Sequence, residues 1–195
     1  MSRASVPSRA KAMLSTVLLA PLVAPPVVTG LLLLRCFGRN SQLGRALDAI
    51  GITIPFSLAG AVLAAGVVGF PLFVMSIRTA FETIDPHLED LALSLGDTPW
   101  RAFRRVTLPL ALPGIAAGAV LAFARALGEF GATAVVSGNI EGKTRTIALA
   151  VYTLLDVPDG EPQTRTLLVA SLALSLGALA GFEVLNRWQR RRLEA

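Results

Sequence analysis

Four long apolar runs, separated by short stretches that carry nearly all of the charge, set the pattern of this chain. Met13–Leu34, Ile52–Ile77, Val106–Ala124 and Thr166–Phe182 contain no charged residue. A helix needs about 20 predominantly apolar residues to cross the hydrocarbon core of a bilayer, and runs of 22, 26, 19 and 17 residues meet or approach that length. The third run regains apolar character beyond Arg125 and Glu129, as far as Val136, and the fourth continues through Val184 and Leu185. The pattern predicts an all-α integral membrane protein, a polytopic transmembrane helix bundle with about four spans. Thr146–Leu155, with ten uncharged residues, is too short to cross and is expected to form an interfacial or re-entrant helix. A signal peptide is the other reading of the first run. The run continues past Pro25-Pro26 without a clear cleavage site, which favours a span.

Composition supports the membrane reading. Hydrophobic residues make up 53% of the 195 and charged residues only 16%, against about 25% charged in an ordinary soluble domain. The net charge of +5 does not point to nucleic acid, because the basic residues lie between apolar runs rather than on one polar face. A single cysteine, Cys36, and a single histidine, His87, leave no disulfide framework, no zinc site built from these residues and no Cys–His nucleophilic chemistry. Basic residues favour the cytoplasmic side. With both termini and the Arg78–Arg105 loop inside, eleven Lys and Arg are cytoplasmic and six are not, with Arg125 left in a span. The run Arg190–Arg192 then reads as an anchor on anionic lipid. Gly114-x-x-x-Gly118 and Gly177-x-x-x-Gly181 each place two small residues on one helix face, where backbones can approach closely.

The loop between the second and third runs is the most informative. Asp85 is expected to cap a helix with Pro86 at its first position, where a missing N–H costs nothing. Leu88, Leu91, Ala92 and Leu95 follow at helical spacing, and Gly96 offers a stop. Thr98-Pro99 should open a second short helix by the same logic, carrying Trp100, Arg101, Phe103, Arg104 and Arg105. Trp and Arg are favoured anchors of protein interfaces. The same pattern also suits a segment resting on the inner leaflet.

Glu89-x-x-Ala92-x-x-x-Gly96, followed after nine residues by Val106-x-Leu108-Pro109, resembles the EAA loop of ABC importer permeases. Leu91 stands where a second Ala is usual and Val106 where Ile is usual. Ala24-Pro25-Pro26-Val27-Val28-Thr29-Gly30, Phe123–Ala132 and Thr144–Ile147 with Tyr152–Leu154 are similar to the molybdate branch of that family. Sulfate and thiosulfate permeases share the Arg125-x-x-Gly128-Glu129-Phe130-Gly131 core.

The resemblance implies a single transmembrane permease domain over 1–195, of the type I ABC importer kind, in the cell (inner or plasma) membrane. It implies a cytoplasmic coupling loop at 85–109 and an extracytoplasmic loop with a short helix at 138–165. Within the coupling loop it implies contact with an ATP-binding subunit through Glu89, Ala92, Gly96, Asp97, Pro99, Trp100 and Arg101. The implied partners are that ATPase, a periplasmic or extracellular molybdate-binding protein, a second copy of the chain and the lipid bilayer. No cofactor, metal or catalytic residue is implied. Family members carry a further span before the Pro-Pro helix, and residues 1–13 look like the linker that would follow it.

Arg125 and Glu129 lie four apart and are expected on one helix face deep in a span, where a charge costs about 2.5–3.5 kcal/mol on insertion scales. They read either as a mutual ion pair or as part of the translocation path. Gly138–Thr144 has three residues between its glycines where a phosphate loop needs four, and reads as an exposed turn. His87 reads as a first-turn surface residue, and Cys36 as an inert thiol near a span end. Rival readings are a sulfate, thiosulfate or tungstate permease and, more remotely, a membrane-embedded enzyme or an anchor without transport.

Overall fold

The computed structural model describes residues 9–155 and 161–193, and their regular structure is entirely helical. The linker reading for 1–8, residues 156–160 of the 138–165 loop, and the side chains of Arg190–Arg192 lie outside the described residues.

The first run is not one straight span. Helix α1 (Arg9–Val23) and helix α2 (Pro26–Phe37) meet at a bend of 119°. Two consecutive prolines explain it: each lacks an N–H donor, and the residue before a proline is pushed out of the helical region. Pro25 accordingly sits at φ −55°, ψ 133°, with Pro26 opening α2. Helix α3 (Gln42–Ala49) follows, then α4 (Leu58–Glu82). α4 starts six residues later than the apolar run because Ser57 ends the loop, its Oγ accepting the Gly60 amide at 3.1 Å. The remaining elements are α5 (Pro86–Ser94), α6 (Pro99–Ala102), a π-turn (Phe103–Thr107), α7 (Leu108–Leu127), α8 (Gly131–Ser137), α9 (Ile147–Leu155) and α10 (Glu161–Leu193). Among the described residues, three helical stretches are long and apolar enough to cross a membrane, or four if the bent α1–α2 pair is one span. α9 occupies the predicted short apolar stretch.

The chain divides into two compact units. The first comprises residues up to Pro71 together with Glu129–Thr146. Its core is Ile54, Ala64, Val68, Ala132 and Val136, with Leu33, Phe37, Leu47 and Leu63 packed against it. α8 lies on α2 so closely that a Cβ on Gly30 would stand 2.9 Å from the Ala132 backbone. The second unit comprises Leu72–Gly128 and the chain from Ile147 on. Here Gly114 meets Ala80 and Gly118 meets Ser76, so the first glycine pair does serve a close crossing, of α7 on the end of α4. The second pair does not: nothing among the described residues stands within 4 Å of a Cβ built on Gly177 or Gly181. α10 packs on α7 and α9 through other positions and leaves this face uncovered.

Candidate functional site

The loop after α4 folds largely as its residues dictate. Asp85 caps α5, its Oδ1 accepting the His87 amide at 3.0 Å, and His87 is an exposed first-turn residue. Leu88, Leu91 and Leu95 are exposed, Leu95 to 81%, while Ala92 is the one buried member of the stripe. Apolar groups at i, i+3 and i+7 thus form an exposed edge along α5, suited to another protein or to a membrane surface. Glu89 is half-buried on the same helix. The chain then turns at Gly96, which adopts φ +92°, a conformation that only glycine takes without strain.

Beyond the turn, expectation and structure part. Pro99 does open a helix, but not a separate short one. α6, the π-turn and α7 form one helical stretch of 29 residues, Pro99–Leu127. Thr98 makes no capping hydrogen bond through its side chain. The π-turn has a local cause: Pro109 has no N–H to give the Arg105 carbonyl, and the neighbouring Leu108 amide reaches back five residues to Phe103. The Thr107 hydroxyl is left buried without a hydrogen-bond partner. Pro109 was the available sequence signal for this wider turn.

The helix start is pinned to the turn before it. Asp97 lies 3.5 Å from both Arg101 and Arg105. Trp100 stacks on Phe103 (ring centroids 5.7 Å apart), and Phe103 stacks on Phe81 of α4 (6.2 Å). Trp100 nevertheless remains 70% exposed. The result is a braced scaffold carrying an outward apolar edge (Leu88, Leu91, Leu95, Trp100) flanked by arginines. That arrangement suits seating on another protein, with its geometry fixed from behind by the Asp97 pairs and the aromatic stack.

Arg125 and Glu129 do not share a helix face. α7 ends at Leu127, Gly128 closes it, and Glu129 lies outside the helix. Glu129 is 2% exposed, and its Oε1 accepts the Ala132 amide at 2.8 Å. A carboxylate on the first turn of a helix satisfies a free N–H and favours the positive end of its dipole. Glu129 therefore builds α8, and Arg125 remains half-buried in the last turn of α7. A glycine followed by a charge within a span was the sign of the break.

The Gly138–Thr144 segment is a stapled turn. Thr144 Oγ1 accepts the Ile140 amide at 3.1 Å, and Arg145 donates to Asn139 Oδ1 at 2.9 Å. Gly138 and Gly142 both adopt φ +70°. Residues 139–143 are exposed and Thr144 is buried.

The chain matches, over residues 1–194, the family described as binding-protein-dependent transport system inner membrane component. It is 52% identical over 183 residues to the molybdenum transport system permease protein ModB of Escherichia coli (strain K12), which covers 93% of this chain and 80% of that protein. It is 46% identical over 185 residues to the protein of the same name from Haemophilus influenzae (strain ATCC 51907 / DSM 11121 / KW20 / Rd), covering 94% and 79%. Among solved structures, the crystal structure of a bacterial ABC transporter involved in the import of the acidic polysaccharide alginate superposes with a TM-score of 0.61 at 18% identity, over 96% of this chain and 68% of that one. That last likeness is one of fold.

Proposed function

Since the chain belongs to the binding-protein-dependent transport system inner membrane component family, we propose that it is the membrane-spanning subunit of an importer for molybdate. On this reading two copies surround one path, and each docks an ATP-binding subunit through 85–109. Both termini and that loop face the cytoplasm. The 138–165 loop faces an extracytoplasmic molybdate-binding protein. The chain itself is non-catalytic, and ATP is hydrolysed on the partner.

The observation that carries the coupling assignment is the exposed edge of Leu88, Leu91, Leu95 and Trp100 on a scaffold braced by Asp97, Arg101 and Arg105. Ala92, Gly96 and Pro99 set its shape, and Glu89 lies half-buried in the first turn of α5. Ala92 packs inward, Gly96 makes the turn and Pro99 starts the helix that continues into the membrane. Because that helix is continuous with α7, a push on the loop displaces a span directly. Closure of the ATPase pair would thereby bias the bundle between inward- and outward-facing states.

In the path, Arg125 is the residue that attracts the anion. Glu129 contributes by holding the start of α8. The supporting similarity is the 52% identity to a molybdenum permease.

The test is molybdate uptake in permease-deficient cells supplied with the cognate ATPase and binding protein. Uptake that persists under excess sulfate is the expected result. Uptake abolished by sulfate would overturn the molybdate assignment and leave a sulfate permease.

A further inference from the structure

Arg35, Arg39 and Arg45 crowd the stretch after the first apolar run, on the side assigned here to the exterior. Basic residues are usually sparse there. Arg35 belongs to the last turn of α2, and Arg39 sits in the corner before α3. Both line an open cleft of about 840 Å³, together with Asn40, Ser41, Thr53 and Phe56. Among the described residues, neither arginine forms an ion pair with a carboxylate.

The hydroxyls of the cleft are already committed. Ser41 Oγ donates to the Gly38 carbonyl and accepts the Gly44 amide, both at 2.8 Å, and Thr53 donates to Asp48 at 2.8 Å. They shape the wall, and the donors left to face a ligand are the two guanidinium groups and the Asn40 amide.

The wall is rigid. A Cβ on Gly44 would run into the carbonyls of Phe37 and Gly38, so the α2–α3 corner admits only glycine at this position. Phe56, a non-glycine residue at φ +54°, is held in that strained conformation by its amide donating to Val136 at 2.9 Å. Its ring lies against Gly138. Strain of this kind persists only where surrounding structure imposes it, and it clusters at binding sites.

We propose that this cleft is a loading site for a tetrahedral oxyanion at the extracytoplasmic mouth of the permease, with Arg35 and Arg39 as its paired ligands. Guanidinium forks match the oxygen spacing of such anions. The choice of anion rests on the molybdate reading, and the placement at the extracytoplasmic mouth rests on the orientation proposed above; the cleft and its two arginines depend on neither. The cleft has room for a hydrated anion at about 30 Å³ per water, so recognition is loose. A transit site needs binding strong enough to enter and weak enough to leave. A lipid phosphate shares this chemistry, and the test must separate the two sources.

The full chain, assembled with its ATPase in nanodiscs of phosphatidylcholine alone and without binding protein, is titrated with radiolabelled molybdate. Arg35→Gln and Arg39→Gln should each weaken binding about tenfold or more, the scale of one charge-assisted hydrogen bond. Arg45→Gln, whose side chain does not line the cleft, should bind as wild type does. If a Gln variant fails to insert, the Lys variants carry the test: they keep the charge, lose the fork and should bind several-fold more weakly. Unchanged binding in the arginine variants would overturn the site. Phosphatidylglycerol that displaces molybdate from the wild type, and is retained less by the two Gln variants, would assign the cleft to lipid and overturn the loading role. A chain that proves to import sulfate would sink the molybdate reading alone, because sulfate would then fill the cleft and the same two variants would weaken it.

Discussion

Gly96 shows how one residue governs the coupling loop. At φ +92°, with no atom of the described residues beyond its chain neighbours within 4 Å of a built Cβ, its requirement is one of backbone conformation rather than space. Alanine there meets only the left-handed penalty of about 1–2 kcal/mol. Proline cannot reach positive φ, and it also removes the hydrogen bond from the Gly96 amide to the Leu93 carbonyl (3.0 Å). Gly96→Pro is therefore expected to abolish molybdate uptake while the chain still reaches the membrane, and Gly96→Ala to keep partial uptake. Uptake assays paired with immunoblots of the membrane fraction check both. Normal uptake by the proline variant would sink the coupling assignment. Glu129 makes the complementary case. Its charge was visible in the sequence, but its task was not, because the task depends on a helix ending two residues earlier.

Among the elements, the contact of α2 with α8 is the tightest test of packing. A methyl group on Gly30 would meet the Ala132 Cα and carbonyl oxygen at 2.9 Å, and backbone atoms cannot swing aside as a side chain can. Gly30→Ala should lower stability by about 1–3 kcal/mol, the usual range for overpacking. Gly177→Ala on α10 meets nothing among the described residues and should be neutral or stabilising by about 0.5–1 kcal/mol through helix propensity. Thermal unfolding of the two detergent-solubilised variants side by side checks the contrast. The sequence flagged Gly177 and Gly181 as readily as Gly114 and Gly118, since spacing reveals which face is small but not whether another helix reaches it. The π-turn at Phe103–Thr107 was latent in Pro109 in the same sense. A proline cancels one hydrogen bond; whether the chain kinks, breaks or widens depends on what the flanking turns are packed against, here Phe103 between Trp100 and Phe81.

For the whole molecule, orientation decides which loop meets which partner, and the chain carries its own probe. Cys36 is its single cysteine and is exposed. In the proposed orientation a membrane-impermeant maleimide added to spheroplasts labels it without permeabilisation. Labelling only after lysis would place the 85–109 loop outside and remove its access to an ATPase. The sequence by itself determined that the chain is a membrane protein, because uncharged runs of bilayer length have few other uses in water. Its Glu89, Ala92 and Gly96 and its Gly128-Glu129-Phe130-Gly131 core carried a resemblance to a known permease family, and it also determined the Asp85 cap and Gly96 turn, which depend on neighbours a few residues away. Only the tertiary structure decided that Pro25-Pro26 bends the first run by 119°, that Glu129 serves α8, and that Arg35 and Arg39 share one cleft. Those outcomes depend on which surfaces meet across long stretches of chain, and hydrophobic period and local propensity carry no information about distance in space.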